Sequence, residues 1–282
     1  MLTGEEFRLF KNLIYEESGM FLTEAKKDFL ENRLMKRMRA TNMTTPYWYY
    51  RFLLANRKAE LLVLLDILTI NETSFFRNEP QFELFRNVIL PDVIERRKRE
   101  IQRKLRIWSA GCSTGEEPYS IAMTVLDTVP YPDLWDIKIY ASDLSLKALE
   151  VAHRGVYALG KAKETVPVET MARYFEPQGD DVRVIDAVRR RVVFDYHNLK
   201  HENGLRDLDI VFCRNVMIYF DEEEQKRLVN KFYNCLAPDG YLLVGHAESL
   251  HGWNMNFQFL HDNKGTAYKK PARETRHEDP AR

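Results

Sequence analysis

The sequence is poor in cysteine, with only Cys112, Cys213 and Cys235, and no two of them form a Cys-x-x-Cys pair. This scarcity argues against a disulfide framework and a zinc site, and it suits a reducing cytoplasm. An excess of charge is also missing, since 42 Lys and Arg balance 42 Asp and Glu. The bulk charge therefore does not indicate a nucleic-acid partner, although a local basic patch stays open. We expect a cytoplasmic protein without a metal.

Long apolar runs are absent as well. The longest, 61–70, is interrupted by Asp66 and is far shorter than the roughly 20 residues that cross a bilayer. The start, MLTGEEFRLFKNL, is charged and amphipathic and lacks the apolar segment of a signal peptide. We therefore expect no membrane insertion. The 282 residues, 45% of them hydrophobic, suffice for one large domain or for one domain with a small companion.

The first part of the chain, 1–78, predicts a small all-helical domain. Thr3 and Glu6 form a capping-box pattern before a run with helical spacing. A second helix, rich in Lys and Arg, is predicted over 24–40, and Pro46 suits the first turn of a third.

The pattern changes to alternating strands and helices over 79–270. The strand-like runs are 105–110, 137–142, 191–196, 210–213 and 241–245. Helical segments lie between them, which predicts a parallel sheet covered on both faces. Two last strands, 257–260 and 266–269, flank the hairpin signal Asp262-Asn-Lys-Gly265. A parallel sheet that ends in an antiparallel hairpin is typical of Rossmann-like methyltransferases.

The segment between the second and third strands is longer than a crossover needs. Residues 182–185 and 192–194 alternate like strands, which predicts a small antiparallel insert at about 156–190. The tail, 271–282, is polar, and we expect it to be disordered.

The first strand runs into the motif WSAGCSTGEEPY, where Gly111 and Gly115 would let a ligand approach the backbone. The strand-to-helix turn of an open parallel sheet is where cofactors bind. Its G-x-x-x-G spacing is not the dinucleotide fingerprint, and Glu116 and Glu117 would repel a pyrophosphate. They suit a ligand with an amino group or a sulfonium, or they merely cap the helix favourably.

Two further strands end in polar residues. Asp143 closes the second strand, where an acid typically takes the hydroxyls of a ribose, although it is equally placed to cap the next helix. Asn198 and Leu199 follow the third strand. An amide there can read an adenine edge, but Asn is also common in turns.

The segment DIVFCRNVMIYFD places Arg214, Asn215 and Tyr219 at the carboxyl end of the fourth strand, where Tyr219 is a site residue or a core aromatic. A second polar cluster, NETSFFR, joins the two predicted domains. Its polar members are Asn71, Thr73 and Arg77. This cluster is either part of a site or a capped turn that packs on the sheet.

Several long motifs match one known family. In chain order they read NETSFFRN, WSAGCSTGEEPYSIAM, IYASDLS, RGVY, RYF, DIVFCRNVMIYFDEEEQ and LAPDGYLLVGHAESL. Together they resemble the chemotaxis receptor methyltransferases, the CheR family, over roughly 71–250. The helical start is similar to the small N-terminal domain of that family.

The resemblance implies that S-adenosylmethionine donates a methyl group to receptor glutamates, with a glutamate methyl ester and S-adenosylhomocysteine as products. Matched by position, the cofactor pocket comprises Asn71, Thr73, Arg77, Glu117, Asp143, Asn198, Leu199, Asn215 and Val216. To these the glycine argument adds Gly111. Arg77 and Tyr219 would face the transferred methyl group. The expected partner is the cytoplasmic helical region of a receptor, and we expect a monomer.

A glutamate carboxylate, with a pKa of about 4.3, is already ionised at neutral pH, so the reaction needs alignment rather than a base. Lys26, Arg33 and Arg37 fall within about 40° of one another on a helix. They form either a docking stripe for receptor glutamates or an ordinary solvated face. Whether the insert holds a receptor tail stays open.

The motifs argue against nucleic-acid methyltransferases but leave two other functions as alternatives. A nucleic-acid amino-methyltransferase would carry [DNS]-P-P-[YFW] after the fourth strand, where this chain has Arg214-Asn-Val-Met217, and Cys213 lacks the preceding proline of a cytosine C5 enzyme. A small-molecule carboxyl methyltransferase fits the same fold. A non-catalytic receptor adaptor that senses the cofactor is the third alternative.

Overall fold

The structure, a computed structural model, describes residues 2–253, 256–262 and 265–272. Its N-terminal part is helical, with α1 Gly4–Ser18, α2 Lys27–Thr41, α3 Pro46–Ala55 and α4 Arg57–Leu68. The Thr3 hydroxyl accepts from the N–H of Glu6 and the Glu6 carboxylate accepts from the N–H of Thr3, which confirms the capping box. The second helix differs from its prediction, because Glu24–Lys26 form a separate 3-10 turn before α2.

A helical layer that the sequence analysis missed follows the first domain. It consists of α5 Glu79–Leu84, a π-helical turn Phe85–Ile89 and α6 Leu90–Arg97. Pro80 and Pro91 read as helix breakers. Pro80 lies in the first turn of α5, where proline costs no hydrogen bond. Pro91 directly follows the π-helical turn, where the regular hydrogen-bond pattern is already interrupted.

The remaining elements alternate as predicted. The helices are α7 Glu116–Thr128, α8 Leu146–Arg154, α9 Leu159–Lys163, α10 Val168–Tyr174, α11 Asp186–Arg189 and α12 Glu222–Cys235. The strands are β1 Lys104–Ala110, β2 Asp136–Asp143, β3 Val156–Ala158, β4 Phe175–Gln178, β5 Asp181–Val184, β6 Val192–Tyr196, β7 Leu208–Cys213, β8 Leu236–Val244, β9 Gln258–Asp262 and β10 Gly265–Lys269.

Seven strands form one sheet in the order β6-β2-β1-β7-β8-β10-β9. The first five are mutually parallel, and β10 pairs antiparallel with β8 and β9. The strands of the predicted hairpin are therefore confirmed, while residues 263–264 of its turn lie outside the described residues. Strand order reverses between β1 and β7, so the crevice at their carboxyl ends is the place where this fold binds ligands.

Both faces of the sheet are covered. Ile107 of β1 faces the cluster that contains α5, α6 and α7, whereas the next residue, Trp108, packs on Phe232 of α12 with ring centroids 5.3 Å apart. On the first face Phe85 meets Phe212 of β7 edge to face at 5.1 Å. This alternation of buried residues explains why the central strands read as continuous apolar runs.

The segment that joins β2 to β6 in the sequence forms a second, three-stranded antiparallel sheet, in the order β3-β5-β4. This confirms the predicted insert, with one correction. Residues 192–194 belong to β6 of the main sheet, where Phe194 pairs with Ala141 of β2. The tail 271–282 is predicted to be disordered, and its part from 273 onward lies outside the described residues.

The helical domain lies directly on the carboxyl edge of the sheet. Asp66 of α4 accepts from the Ser145 hydroxyl at 2.6 Å and from the backbone N–H of Lys147 at 3.2 Å, at the start of α8. Lys200 donates to the carbonyl oxygens of Tyr15 and Glu16 at the end of α1, where a cation is favourable. The domain is therefore positioned to close the crevice from above.

None of the helices in the part of the chain that the structure describes combines the length and the apolar character of a membrane span.

Candidate functional site

A single pocket at the carboxyl edge brings together segments that are distant in the sequence. The predicted residues on its wall are Asn71, Thr73, Arg77, Gly111, Glu117, Asp143, Asn198, Leu199, Asn215, Val216 and Tyr219. They come from the interdomain segment and from the loops after β1, β2, β6 and β7. Ser18 and Met20 of the helical domain also line the pocket, a contribution that sequence reasoning missed.

The two glycines of the motif after β1 have different roles. Gly111 lines the pocket with φ +82°, and a Cβ there would lie 2.4 Å from Cγ2 of Val216. Gly115 also has a positive φ, but a Cβ there would meet Cβ of Ala152 on α8 at 2.8 Å. The prediction that both glycines let a ligand approach the backbone is therefore corrected, since Gly115 instead allows α8 to pack closely against this turn.

Asp143 presents its carboxylate at the pocket wall. Its Oδ2 accepts from the N–H of Ser113 at 2.7 Å, and its Oδ1 accepts from the N–H of Ser145 at 2.8 Å. The cap of α8 is Ser145, whose hydroxyl accepts from Ala148, so the alternative role as the helix cap does not belong to Asp143. Burial raises the pKa of Asp143, against the lowering effect of backbone hydrogen bonds from Ser145, Ser113 and Leu144.

The two glutamates at the start of α7 point in different directions. Glu116 accepts from the Thr114 hydroxyl and does not line the pocket, whereas Glu117 does. Glu117 accepts from the Ser109 hydroxyl at 2.7 Å and forms an ion pair with Arg214 at 3.2 Å. Burial raises the pKa of Glu117, and the adjacent Arg214 opposes that rise.

Arg214 joins three parts of the site. Its side chain is only 2% exposed, contacts Glu117, lies over the ring of Phe82 and donates to the backbone carbonyl of Arg77. Its Nε is buried without a hydrogen-bond partner, and burial lowers the pKa of the guanidinium. Sequence reasoning named Arg214 but gave it no role; the structure shows that it links α7 to the interdomain segment.

Arg77 and Tyr219, the two predicted catalytic residues, are half-buried on the same pocket wall. The Arg77 guanidinium donates to the Glu72 carbonyl at 3.0 Å. Burial raises the pKa of Tyr219, and the positive charge of Arg77 partly offsets this rise, as expected for neighbouring groups. Tyr219 lies in the 3-10 turn Met217–Tyr219 and on the pocket wall, so it is not a fully buried core aromatic.

The side-chain amides of Asn71 and Asn198 have different hydrogen-bond partners within the protein. The Asn71 amide donates to Thr69 at 3.2 Å and to Ser145 at 3.3 Å. Asn198 donates to the Glu17 carbonyl at 2.6 Å, and its Oδ1 accepts from the N–H of Lys200 at 3.0 Å. The amide nitrogen of Asn198 therefore bonds to the end of α1 and its oxygen to the backbone of its own loop, while each keeps one further donor or acceptor position. Its predicted contact with an adenine edge stays a prediction.

His197, which sequence reasoning also missed, lies on the pocket wall next to Asn198. Burial lowers the pKa of its imidazole, and its Nε2 is buried without a partner. His246, which follows β8, is exposed and does not line this pocket.

The predicted docking stripe is corrected at one position. Arg37 forms a bidentate ion pair with Glu60 at 2.8 Å, and the Tyr49 hydroxyl donates to the same carboxylate at 2.7 Å. Arg37 therefore holds α2 to α4. Lys26, which is exposed, and Arg33, which is half-buried, lie over the ring of Phe29, at 5.9 and 5.1 Å from its centroid. These two form the outward part of the stripe, which is not taken up by the Arg37–Glu60 pair.

No group of three or more His, Cys, Asp and Glu side chains that could hold a metal occurs within the described residues. The three cysteines are free and buried, and burial raises the pKa of the Cys213 thiol, which disfavours a thiolate nucleophile.

Comparisons with known proteins cover both parts of the chain. The sequence profile "CheR methyltransferase, SAM binding domain" matches 71–266, and "CheR methyltransferase, all-alpha domain" matches 5–69. "Chemotaxis protein methyltransferase 2" of Vibrio cholerae is 34% identical, covering 96% of this chain and 94% of its own length. The "Chemotaxis protein methyltransferase" of Escherichia coli is 38% identical and that of Salmonella typhimurium 39%, each covering 88% of this chain and 85% of the relative.

Proposed function

The chain belongs to the CheR methyltransferase family, and from this premise we propose that it methylates glutamate side chains of chemotaxis-type receptors with S-adenosylmethionine, releasing S-adenosylhomocysteine. One observation carries the proposal. Arg77 and Tyr219 share a pocket wall with Glu117 and Asp143, so groups suited to an acceptor carboxylate stand beside groups suited to an aminoacyl nucleoside. The proposed place of action is the cytoplasmic helical region of the receptor.

The pocket suits S-adenosylmethionine, which supplies an electrophilic sulfonium methyl group when bound. Glu117 is the anion for its ammonium group, because the carboxylate is already held in place by Ser109 and Arg214. Asp143 is the acceptor for the ribose hydroxyls, since each of its oxygens retains acceptor capacity beyond one backbone N–H. Glycine at 111 lets Val216 lie against the backbone of this turn, because any side chain at 111 would collide with Val216.

The remaining chemistry requires alignment of two reactants. We assign the Arg77 guanidinium to the acceptor carboxylate, which a planar fork of donors suits geometrically. Tyr219 donates its O–H to the same carboxylate or positions the methyl group. Its raised pKa keeps that proton in place at neutral pH. No group needs to remove a proton, because the acceptor glutamate is ionised.

The rate should be level from neutral pH to about pH 9, where the acceptor glutamate is ionised. Burial lowers the pKa of His197, so it is neutral across this range, and Tyr219, whose pKa is raised, stays protonated. On the acid side the rate should fall as Glu117 and the acceptor take up protons. Steady-state rates measured against pH test this. A steep limb near pH 7 that disappears in His197→Gln would contradict the base-free mechanism.

The outward part of the stripe is proposed to dock the receptor. Reversing Lys26 and Arg33 to Glu should raise the KM for receptor roughly tenfold at low salt, at about 0.5–1 kcal/mol for each exposed charge pair. The effect should shrink at high salt because exposed charges are screened. S-adenosylhomocysteine affinity, measured by calorimetry, should not change.

Arg37 supplies the contrast for this experiment. Arg37→Ala leaves Glu60 buried without its cation, so it should lower the melting temperature of the protein. If the Lys26 and Arg33 reversal leaves the receptor KM unchanged, the stripe is only a solvated face.

Two rival functions are separated by one experiment. The purified enzyme is supplied with labelled S-adenosylmethionine and either receptor-bearing membranes or free glutamate and short dicarboxylic acids. The proposal predicts incorporation into receptor only. Label in the small acids indicates a small-molecule carboxyl methyltransferase, and cofactor binding without any transfer indicates an adaptor.

A further inference from the structure

Glu248 lies in the loop after β8 and is only 9% exposed. Its Oε2 accepts from the backbone N–H groups of Asn215 at 2.9 Å and Gly245 at 2.7 Å. Its Oε1 accepts from the N–H of Ile218 at 3.3 Å. One carboxylate therefore ties the loop after β8 to the loop after β7.

Two N–H groups of the loop after β7, those of Asn215 and Ile218, bond to this carboxylate. Asn215 is in the left-handed conformation, with φ +60°, and such turns direct successive N–H groups towards an anion. The carbonyls of the loop have other partners. Gln225 donates to Met217 at 2.8 Å and to Phe220 at 3.0 Å, and the N–H of Phe21 donates to Tyr219 at 2.8 Å. The turn is thus held from two sides: Glu248 accepts from its N–H groups, and other residues donate to its carbonyl groups.

The contact of Glu248 with the two loops leaves no room for a side chain at position 245. A Cβ at position 245 would lie 2.6 Å from Oε2 of Glu248 and 2.9 Å from the N of Asn215. Glycine at 245 therefore permits the carboxylate to press against both backbones. The turn that results carries Asn215 and Val216 on the pocket wall and ends at Tyr219.

We propose that Glu248 is a positioning residue for methyl transfer, which sets the turn 215–219 so that Tyr219 faces the reacting groups. This inference rests on the proposed function of the pocket. Glu248 itself is absent from the pocket wall, so it acts through the backbone of the turn. Small displacements of aligned groups lower turnover strongly, whereas binding by other groups is retained.

Glu248→Gln is the sharpest test. The side-chain oxygen of Gln can keep the Asn215 and Gly245 bonds, but its NH₂ group then faces the N–H of Ile218, so only the bond nearest Tyr219 is lost. We expect kcat for receptor methylation to fall at least roughly tenfold. The dissociation constant of S-adenosylhomocysteine, measured by calorimetry, should stay within about threefold. Glu223→Gln, which removes an exposed carboxylate on α12, should behave as wild type.

A double-mutant comparison shows through which residue Glu248 acts. In a Tyr219→Ala background the side chain to be positioned is gone, so Glu248→Gln should lower the remaining rate by less than about threefold. An equal loss in both backgrounds overturns the inference. So does a wild-type kcat for Glu248→Gln, or a loss of kcat matched by the same loss of S-adenosylhomocysteine affinity and a lowered Tm. If the wild-type enzyme methylates no receptor, the proposed function fails instead.

Discussion

Arg77→Ala should lower the rate of receptor methylation by roughly 10²- to 10³-fold, the range found when one donor to a reacting oxygen is removed. The substitution should not disturb Arg214, because Arg214 donates to the backbone carbonyl of residue 77, which alanine retains. The side chain itself makes one hydrogen bond, to the Glu72 carbonyl. Its loss should therefore leave the fold intact and remove the cation that we propose aligns the acceptor carboxylate.

The measurement pairs single-turnover rates with calorimetric titration of S-adenosylhomocysteine. Affinity should weaken by no more than about fivefold, since Arg77 is one of several pocket groups. Arg77→Lys should be intermediate, because lysine keeps the charge but not the planar fork. Arg86→Ala, an exposed arginine on the π-helical turn, is the matched control. A rate that falls no more than the affinity would remove Arg77 from the chemical step.

Asp143→Ala should weaken S-adenosylmethionine binding by about 1.5–3 kcal/mol, the range for hydrogen bonds to a charged group, or roughly 10- to 150-fold. Alanine also leaves the N–H groups of Ser113 and Ser145 without their acceptor, so some stability should be lost with it. Asp143→Asn separates the two effects. It keeps one backbone acceptor and removes the charge, so affinity should fall while the melting temperature changes less than in Asp143→Ala.

Asp195→Asn is the control for this pair, because Asp195 is an exposed carboxylate on β6 directly beside Ser142 of β2. It should bind the cofactor as wild type does. NAD should not bind measurably to any of these proteins, since Glu117 disfavours a pyrophosphate at the start of α7. Unchanged affinity in Asp143→Asn would show that Asp143 serves only to hold the loop backbone.

The parts of the fold that follow local rules were predictable from sequence. The capping box at Thr3, the parallel strands and the antiparallel insert each depend on spacing within a few residues, and the structure has them. The carboxyl-edge pocket followed from the same reasoning, because parallel strands deliver their loops to one edge. What the pattern did not show was the layer 79–97, whose prolines lie where helices tolerate them.

The errors at the site came from partners that are distant in sequence. Arg37 is on the face that helical geometry predicts, but Glu60 lies 23 residues away and takes up its charge. Asn198 lies on the pocket wall as predicted, but the bond from its amide to the Glu17 carbonyl of the helical domain could not be read from its place after a strand. Glu248 carries no local signal at all, since its three partners are backbone N–H groups. Spacing reports which residues share a face, and it does not report what they meet there.

The central claim is that this protein forms methyl esters on receptor glutamates. The most direct test incubates the enzyme with methyl-labelled S-adenosylmethionine and receptor-bearing membranes, then treats the receptor with mild alkali and maps the modified peptides by mass spectrometry. The account predicts label on glutamate side chains, released as methanol by alkali, and little label with Arg77→Ala. Label that resists alkali, or that maps to nitrogen or sulfur atoms, would contradict it.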